Sequence, residues 1–272
     1  MSYESLRIDV SGPVATVTLT GPGKGNAMGP EFWREVPEAF RSLDAKTDVR
    51  AIIVRGSGEH FSYGLDLPRM MGELGTAFSG GGMARDRLAL FDLITRMQDS
   101  VSAVEQCKKP VIAAVTGWCI GGGVDLIAAC DIRLCSSDAK FSVREVKVAM
   151  VADIGSLQRL PRIIGEGHTR ELAFTGKNID AARALRIGLV NDTFETHDDL
   201  FSGAQSLAME IAENSPLVVN GIKRVMNACD GKSIADGLHL VAQHNAACLP
   251  STDLAEALAA FAEKRPARFA GQ

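Results

Sequence analysis

The chain has 272 residues, 46% apolar and 23% charged, which is enough to bury a globular core and excludes disorder as its main state. With 29 basic and 33 acidic side chains the net charge is −4, so no basic field exists to draw a nucleic acid. No apolar run reaches the roughly 18 to 20 residues that span a bilayer, so no membrane partner is expected.

Residues 6–10 and 14–20 alternate apolar and polar around Ser11-Gly12-Pro13, the pattern of a strand hairpin. Helical spacing over 31–43 runs through Phe32, Val36, Phe40 and Leu43, and Ala51-Ile52-Ile53-Val54 follows as a short buried strand. Residues 72–82 are rich in glycine and end in Gly80-Gly81-Gly82, which predicts a mobile surface loop at an entrance. An amphipathic helix is expected over 88–104, stopped at Lys109-Pro110, and Val111-Ile112-Ala113-Ala114-Val115 is a fully buried strand. A glycine turn, a helix over 122–130 and strands over 131–135 and 141–143 come next. Strand pairs separated by helices imply a layered α/β coil. Past residue 198 the strand signals vanish, and helices are expected over 200–214, 216–229, 233–247 and 252–264. Their apolar faces must dock on the core or on another subunit, so the chain divides into a core, 1–197, and a helical region, 198–272.

The six cysteines, Cys107, Cys119, Cys130, Cys135, Cys229 and Cys248, form no CxxC pair and read as buried thiols in a reducing compartment. The first twenty residues carry neither a secretory nor a transit pattern, and the C-terminal Ala-Gly-Gln is no peroxisomal address. A cytoplasmic location is therefore expected. The five histidines are dispersed without metal-ligand spacing, and no metal site is expected. No GxSxG elbow is present, so nothing supports a serine hydrolase.

Chemistry concentrates at Gly117-Trp118-Cys119-Ile120-Gly121-Gly122-Gly123-Val124-Asp125, directly after a buried strand and opening a helix. Consecutive glycines there let a ligand approach the backbone and leave peptide N–H groups unpaired at a helix N-terminus, a setting that holds an anion. A second turn, Phe61-Ser62-Tyr63-Gly64-Leu65-Asp66-Leu67, also follows a buried strand and places a glycine just before a helical start. Two such turns on neighbouring strands aim two N–H groups at one oxygen, which is an oxyanion hole. Among the acids of this stretch are Asp125, Glu145 and Asp153. Each also has a plain reading, as a first-turn helix residue, a solvated charge and a helix cap respectively.

The chain resembles the enoyl-CoA hydratase/isomerase (crotonase) superfamily. The matching pieces are Gly25-Asn26-Ala27-Met28, the Phe61 to Leu67 turn, Lys109-Pro110-Val111-Ile112-Ala113-Ala114-Val115, the Gly121 to Asp125 turn, Ala129-Cys130-Asp131-Ile132-Arg133 and Leu157-Gln158-Arg159-Leu160-Pro161. They run in the family's order along nearly the whole chain. The resemblance implies an α/β fold, a crotonase (ClpP-like) spiral of ββα units with a C-terminal helical region that trimerises, as a homotrimer or a hexamer built as a dimer of trimers. It implies an acyl-CoA thioester substrate, with coenzyme A part of that substrate and no separate cofactor. The oxyanion donors it implies are the backbone N–H groups of Leu65 and Gly122.

Hydratases of this family carry glutamates at the positions of Asp125 and Glu145 and a small residue at that of Asp153. The acids found here look like those of the Δ3,5-Δ2,4-dienoyl-CoA isomerases, which move two double bonds by taking a proton from carbon 2 and returning one at carbon 6. Glu145 is then the base at carbon 2, Asp153 the acid at carbon 6, and Asp125 a neighbour that orients a partner or biases its protonation. The alternatives are an enoyl-CoA hydratase, in which Asp125 and Glu145 activate water, and a noncatalytic relative that binds acyl-CoA or RNA. For the coenzyme A moiety the resemblance points to Lys24, Asn26, Ala27, Tyr63 and Asp66, and to Phe261 and Lys264 reaching a neighbouring subunit. Arg159 and Gln158 are expected to brace the core.

Overall fold

A computed structural model describes residues 3–22, 25–78 and 83–272. β1 (Leu6–Ser11) and β2 (Val14–Leu19) pair antiparallel, as the alternation predicted. α1 (Pro30–Ala45) opens with proline in its first turn, where the missing N–H costs nothing, and buries Phe32, Trp33, Val36, Phe40 and Leu43. β3 (Ala51–Gly56), α2 (Leu67–Phe78), α3 (Ala84–Gln106) and β4 (Val111–Val115) come next. They lead to β5 (Trp118–Ile120), α4 (Gly122–Ala128), β6 (Ile132–Ser136) and β7 (Lys140–Ser142). A single 3-10 turn (Glu145–Val148) precedes α5 (Ser156–Thr175), β8 (Ile179–Asp180), α6 (Ala181–Arg186) and β9 (Asp192–Phe194). The chain ends in α7 (His197–Ala212), α8 (Pro216–Ala228), α9 (Ile234–Cys248) and α10 (Thr252–Glu263).

The main sheet has the order β1-β2-β3-β4-β6-β9, parallel from β2 onward, and a smaller sheet has the order β5-β7-β8. The chain therefore winds as the expected ββα spiral, closed by a helical C-terminal region. Parallel strands covered on both faces are apolar throughout, which is why β4 is buried at every position. One face of β3 and β4, with Ile52, Val54, Val111 and Ala113, joins the core under α1, α3 and α4. The other, with Ala51, Ile53, Ile112 and Ala114, is covered by Leu200, Ala204 and Ala208 of α7. The first helix of the C-terminal region thus docks on the sheet, while α8, α9 and α10 leave Met226, Ile234, Leu238, Leu258 and Phe261 exposed.

The loop predicted over 72–82 is corrected: the chain is helical as far as Phe78, and 79–82 lie outside the described residues. Asp66 caps this helix by accepting from Arg69 N at 3.2 Å, Met70 is fully buried, and Gly72 and Gly75 face open space. The glycines break the apolar stripe without breaking the helix. Cys107, Cys119, Cys130 and Cys135 are buried free thiols, whereas Cys229 and Cys248 are half-buried. No described helix is long and apolar enough to cross a membrane.

Candidate active site

The two glycine turns meet edge to edge. Ser62 N donates to Trp118 O at 3.0 Å and Ile120 N to Ser62 O at 2.9 Å, fastening the first turn along β5. Met28 N donates to Gly64 O at 2.8 Å and accepts at its own carbonyl from Asp66 N at 3.0 Å. This pairing skips Leu65, whose N–H has no partner among the described residues, and neither does that of Gly122 at the start of α4. Gly64 sits at φ +79°, and a β-carbon there would stand 2.9 Å from Gly122 N and 2.6 Å from Ile120 O. Only glycine permits so close a contact. The amides of Leu65 and Gly122, the two for which an oxyanion role is expected, thus stand on adjoining turns.

Asp125 and Glu145 border this corner, and Asp153 lines a cavity beyond them. Asp125, on α4, is wholly buried and accepts from Ser156 N at 2.5 Å through Oδ1. Glu145 opens the 3-10 turn after β7, with Oε1 3.1 Å from where a Gly121 β-carbon would stand. Asp125 Oδ2 and Glu145 Oε2 are both buried without a hydrogen-bond partner among the described residues. Asp153 lies in the loop before α5, more exposed than the other two, with its carbonyl accepting from Gln98 Nε2 at 2.7 Å. A cavity of about 340 Å³ opens beside it, walled by Gln98, Ser102 and Gln158 among others but not by Glu145 or the glycine turns.

Burial pushes the Glu145 carboxyl up to about 7, and the charge of Asp125 adds to the rise. Burial likewise lifts Asp125 to about 6 against the opposing pull of Ser156. Partial burial raises Asp153 too, and its charge reaches both of the others. Like charges in a partly dry corner cannot all ionise, so a proton is retained near neutral pH. An acid and a base side by side is what general acid–base chemistry uses.

Of the coenzyme A residues, Lys24 lies outside the described residues. Asn26 is corrected from ligand contact to internal brace. It is buried at φ +46°, its Nδ2 donates to the carbonyls of Ser57, His60 and Phe61, and its Oδ1 accepts from Ser57 Oγ at 2.6 Å. Those bonds engage both amide hydrogens of its side chain. Tyr63 is half-exposed, its ring lying on the bare Gly25 backbone and 5.2 Å from the His60 ring. Ala27 borders the same strip, and the Asp66 carboxylate is engaged as the cap of α2. Phe261 and Lys264 stand exposed at the end of α10, with no hydrogen bond, ring contact or ion pair to this corner. Arg159 is a brace as expected, held by Glu105, Ser102 and the Ile154 carbonyl, while Gln158 is exposed.

Across residues 9–272 the chain matches the family described as Enoyl-CoA hydratase/isomerase. It is a member of the enoyl-CoA hydratase/isomerase family. Among similar members, the "Delta(3,5)-Delta(2,4)-dienoyl-CoA isomerase, mitochondrial" of Dictyostelium discoideum is 44% identical over 98% of this chain and 92% of its own. The peroxisomal enzyme of the same name from Arabidopsis thaliana is 43% identical over 99% and 98%. A crystal structure of an enoyl-CoA hydratase from Bacillus anthracis superimposes with a TM-score of 0.88 at 29% identity, covering 99% of this chain and 100% of that one. The expectation of a cytoplasmic location is overturned by these names, because the dienoyl-CoA isomerase relatives are called mitochondrial or peroxisomal.

Two residues of this family member escaped the sequence reading. Met28 both spaces the turns, with Sδ 3.0 Å from the Gly122 β-carbon position, and leaves the Leu65 amide free. Its place in Gly25-Asn26-Ala27-Met28 was the available signal. Ser156 is the partner of Asp125 from 31 residues away, and no local pattern announces such a pair.

Proposed function

We propose that this chain converts a 3,5-dienoyl-CoA thioester into its 2,4-dienoyl isomer. The thioester oxygen accepts from the N–H groups of Leu65 and Gly122, which stabilise the enolate as it forms. Ionised Glu145 takes the proton at carbon 2. The released pair builds the carbon 2–carbon 3 double bond, the carbon 3–carbon 4 pair moves to carbon 4–carbon 5, and the carbon 5–carbon 6 pair accepts a proton from Asp153 at carbon 6. Proton count and electron count are unchanged overall, and Glu145 and Asp153 exchange protonation states in each turnover.

The observation that carries this reading is three electrostatically linked carboxyls beside two unpaired amides. Relatives named as isomerases of this kind at 43% and 44% identity support it. One observation favours hydration instead: Asp125 Oδ2 and Glu145 Oε2, both without partners, suit a bound water. Asp153 has no task in that reaction. Incubation with 3,5-dienoyl-CoA and with 2-enoyl-CoA, followed by diene absorbance, separates the two. Isomerisation that falls sharply in Asp153→Asn supports the proposal, and hydration without isomerisation overturns it.

The exposed apolar residues of α8, α9 and α10 support assembly as a homotrimer or a dimer of trimers, in which Phe261 and Lys264 reach the coenzyme A of a neighbouring copy. Lys24, Ala27 and Tyr63 remain our candidates for the coenzyme A strip within one copy.

A further inference from the structure

Asp125 presents a problem that its own helix does not solve. It is wholly buried, and one carboxylate oxygen has no partner. The other is met by the first residue of α5, whose N-cap position is Gly155, a residue without a side chain to do the capping. Asp125 therefore caps α5 from across the fold, and α5 returns a main-chain donor at its positive end. Ser156 adds a second group. It is 1% exposed, and its hydroxyl is buried with no hydrogen-bond partner among the described residues. That hydroxyl lies within electrostatic reach of the Asp125 carboxyl but outside bonding geometry with it, so it is free to turn toward a charge there.

We propose that Ser156 is a positioning residue of the site: through its N–H and its buried hydroxyl it holds the negative charge on Asp125, and through that charge it governs when Glu145 gives up its proton. The inference rests on the isomerase reading for its kinetic test, and on the buried Ser156–Asp125 geometry and the charge of Asp125 felt at Glu145 for its physical content. The charged and titratable groups facing Asp125 are Cys119 on β5, Glu145 on the 3-10 turn, Asp153 before α5, and Arg159 on α5, itself paired with Glu105. Ser156 donates its N–H to Asp125 rather than to any of these. Removing the hydroxyl lets Asp125 stay neutral to higher pH. Glu145 then loses a repelling neighbour and ionises at lower pH.

The test is the pH profile of kcat/KM for 3,5-dienoyl-CoA isomerisation in the parent, Ser156→Ala, Ser156→Thr and Asp125→Asn, and in Ser156→Ala combined with Asp125→Asn. The acid limb is expected to move down by about half a pH unit in Ser156→Ala, a fraction of the roughly one to two units that a hydrogen bond to a charged group moves Asp125 itself. It should return in Ser156→Thr, and Ser156→Ala should add nothing once Asp125 is Asn. An acid limb that stays put or moves up in Ser156→Ala, or a shift that persists in the Asp125→Asn background, overturns the proposal. If the parent shows no isomerisation, the functional reading fails by itself. Ser156 is then decided by carbon-13 NMR titration of the Glu145 carboxyl, assigned by its loss in Glu145→Gln, with the same direction of shift expected.

Discussion

Glu145 Oε1 lies 3.1 Å from the point where a β-carbon on Gly121 would stand, so the carboxylate leans on the bare backbone of the glycine turn. Gly121 itself has φ +53° and ψ −120°, a conformation that side chains resist. Gly121→Ala is expected to strain the backbone by about 1–3 kcal/mol and to displace Glu145. Melting temperature should fall, and turnover should drop by about tenfold or more, a loss that 1.4 kcal/mol of misplacement already causes. Unchanged turnover in a destabilised variant would show that Glu145 does not depend on this contact.

Separate duties for Glu145 and Asp153 give separable failures. Asp153→Asn should slow isomerisation by about 10²–10⁴-fold while leaving exchange of the carbon 2 proton with deuterated water in place, because the base remains. Glu145→Gln should abolish both. Mass spectrometry of recovered thioester reads the exchange. Loss of exchange in Asp153→Asn would reverse the assignment of base and acid.

Stability should depend on pH through the same groups. Glu145 rises from 4.5 to about 7 and Asp125 from 3.8 to about 6, so in that window the folded chain holds protons that the unfolded chain has released. Their ionisation therefore costs stability as pH rises through the window. Glu145→Gln should be more stable than the parent by about 1–3 kcal/mol near pH 8. The gain should shrink to nothing in acid, below the ordinary carboxylate range. Urea unfolding at a series of pH values measures it.

Asp253 should show the opposite slope. Burial works to raise its carboxyl, but hydrogen bonds from Ser215, Ala270 and Gly271 outweigh it and hold the group below 3.8. Ser215 Oγ donates at 2.5 Å and the amides of Ala270 and Gly271 at 2.8 and 3.0 Å, pinning the last residues of the chain against α10. This stabilisation is present above the ordinary aspartate value and is lost as pH falls through the depressed one. Asp253→Ala should cost about 2–3 kcal/mol at neutral pH, with faster proteolysis of the C-terminal segment.

Assembly should depend on the exposed face of the C-terminal helices. Leu238→Glu and Leu258→Glu place charges at positions 63% and 64% exposed in one copy. If this face packs on other copies, both variants should sediment as smaller species than the parent while each copy stays folded. A parent that sediments as a single copy would remove the proposal of a trimer.

What the amino-acid order determined alone was everything governed by short-range burial and backbone freedom. The alternation in β1 and β2, the apolar run that opens β3, the all-apolar β4, and the helices of the C-terminal region were legible because apolar pattern reports which face meets the core. The glycine turns were legible because few residues besides glycine serve such close approach, and the family's motifs then identified the turns. Local pattern failed where glycine interrupts a stripe, as in α2, and where Pro161 and the kink at Gly165 interrupt α5. It failed again where long-range partners decide a side chain's task. Asn26 reads as a ligand contact until the carbonyls of Ser57, His60 and Phe61 are seen to consume its amide. Asp125 reads as a first-turn acid or as a neighbour that biases another's protonation, and nothing local names Ser156 as the donor to its carboxylate. Only tertiary structure decided these, because a hydrogen bond depends on where elements remote in sequence come to rest, and a carboxyl's proton depends on the charges and the dryness it finds there.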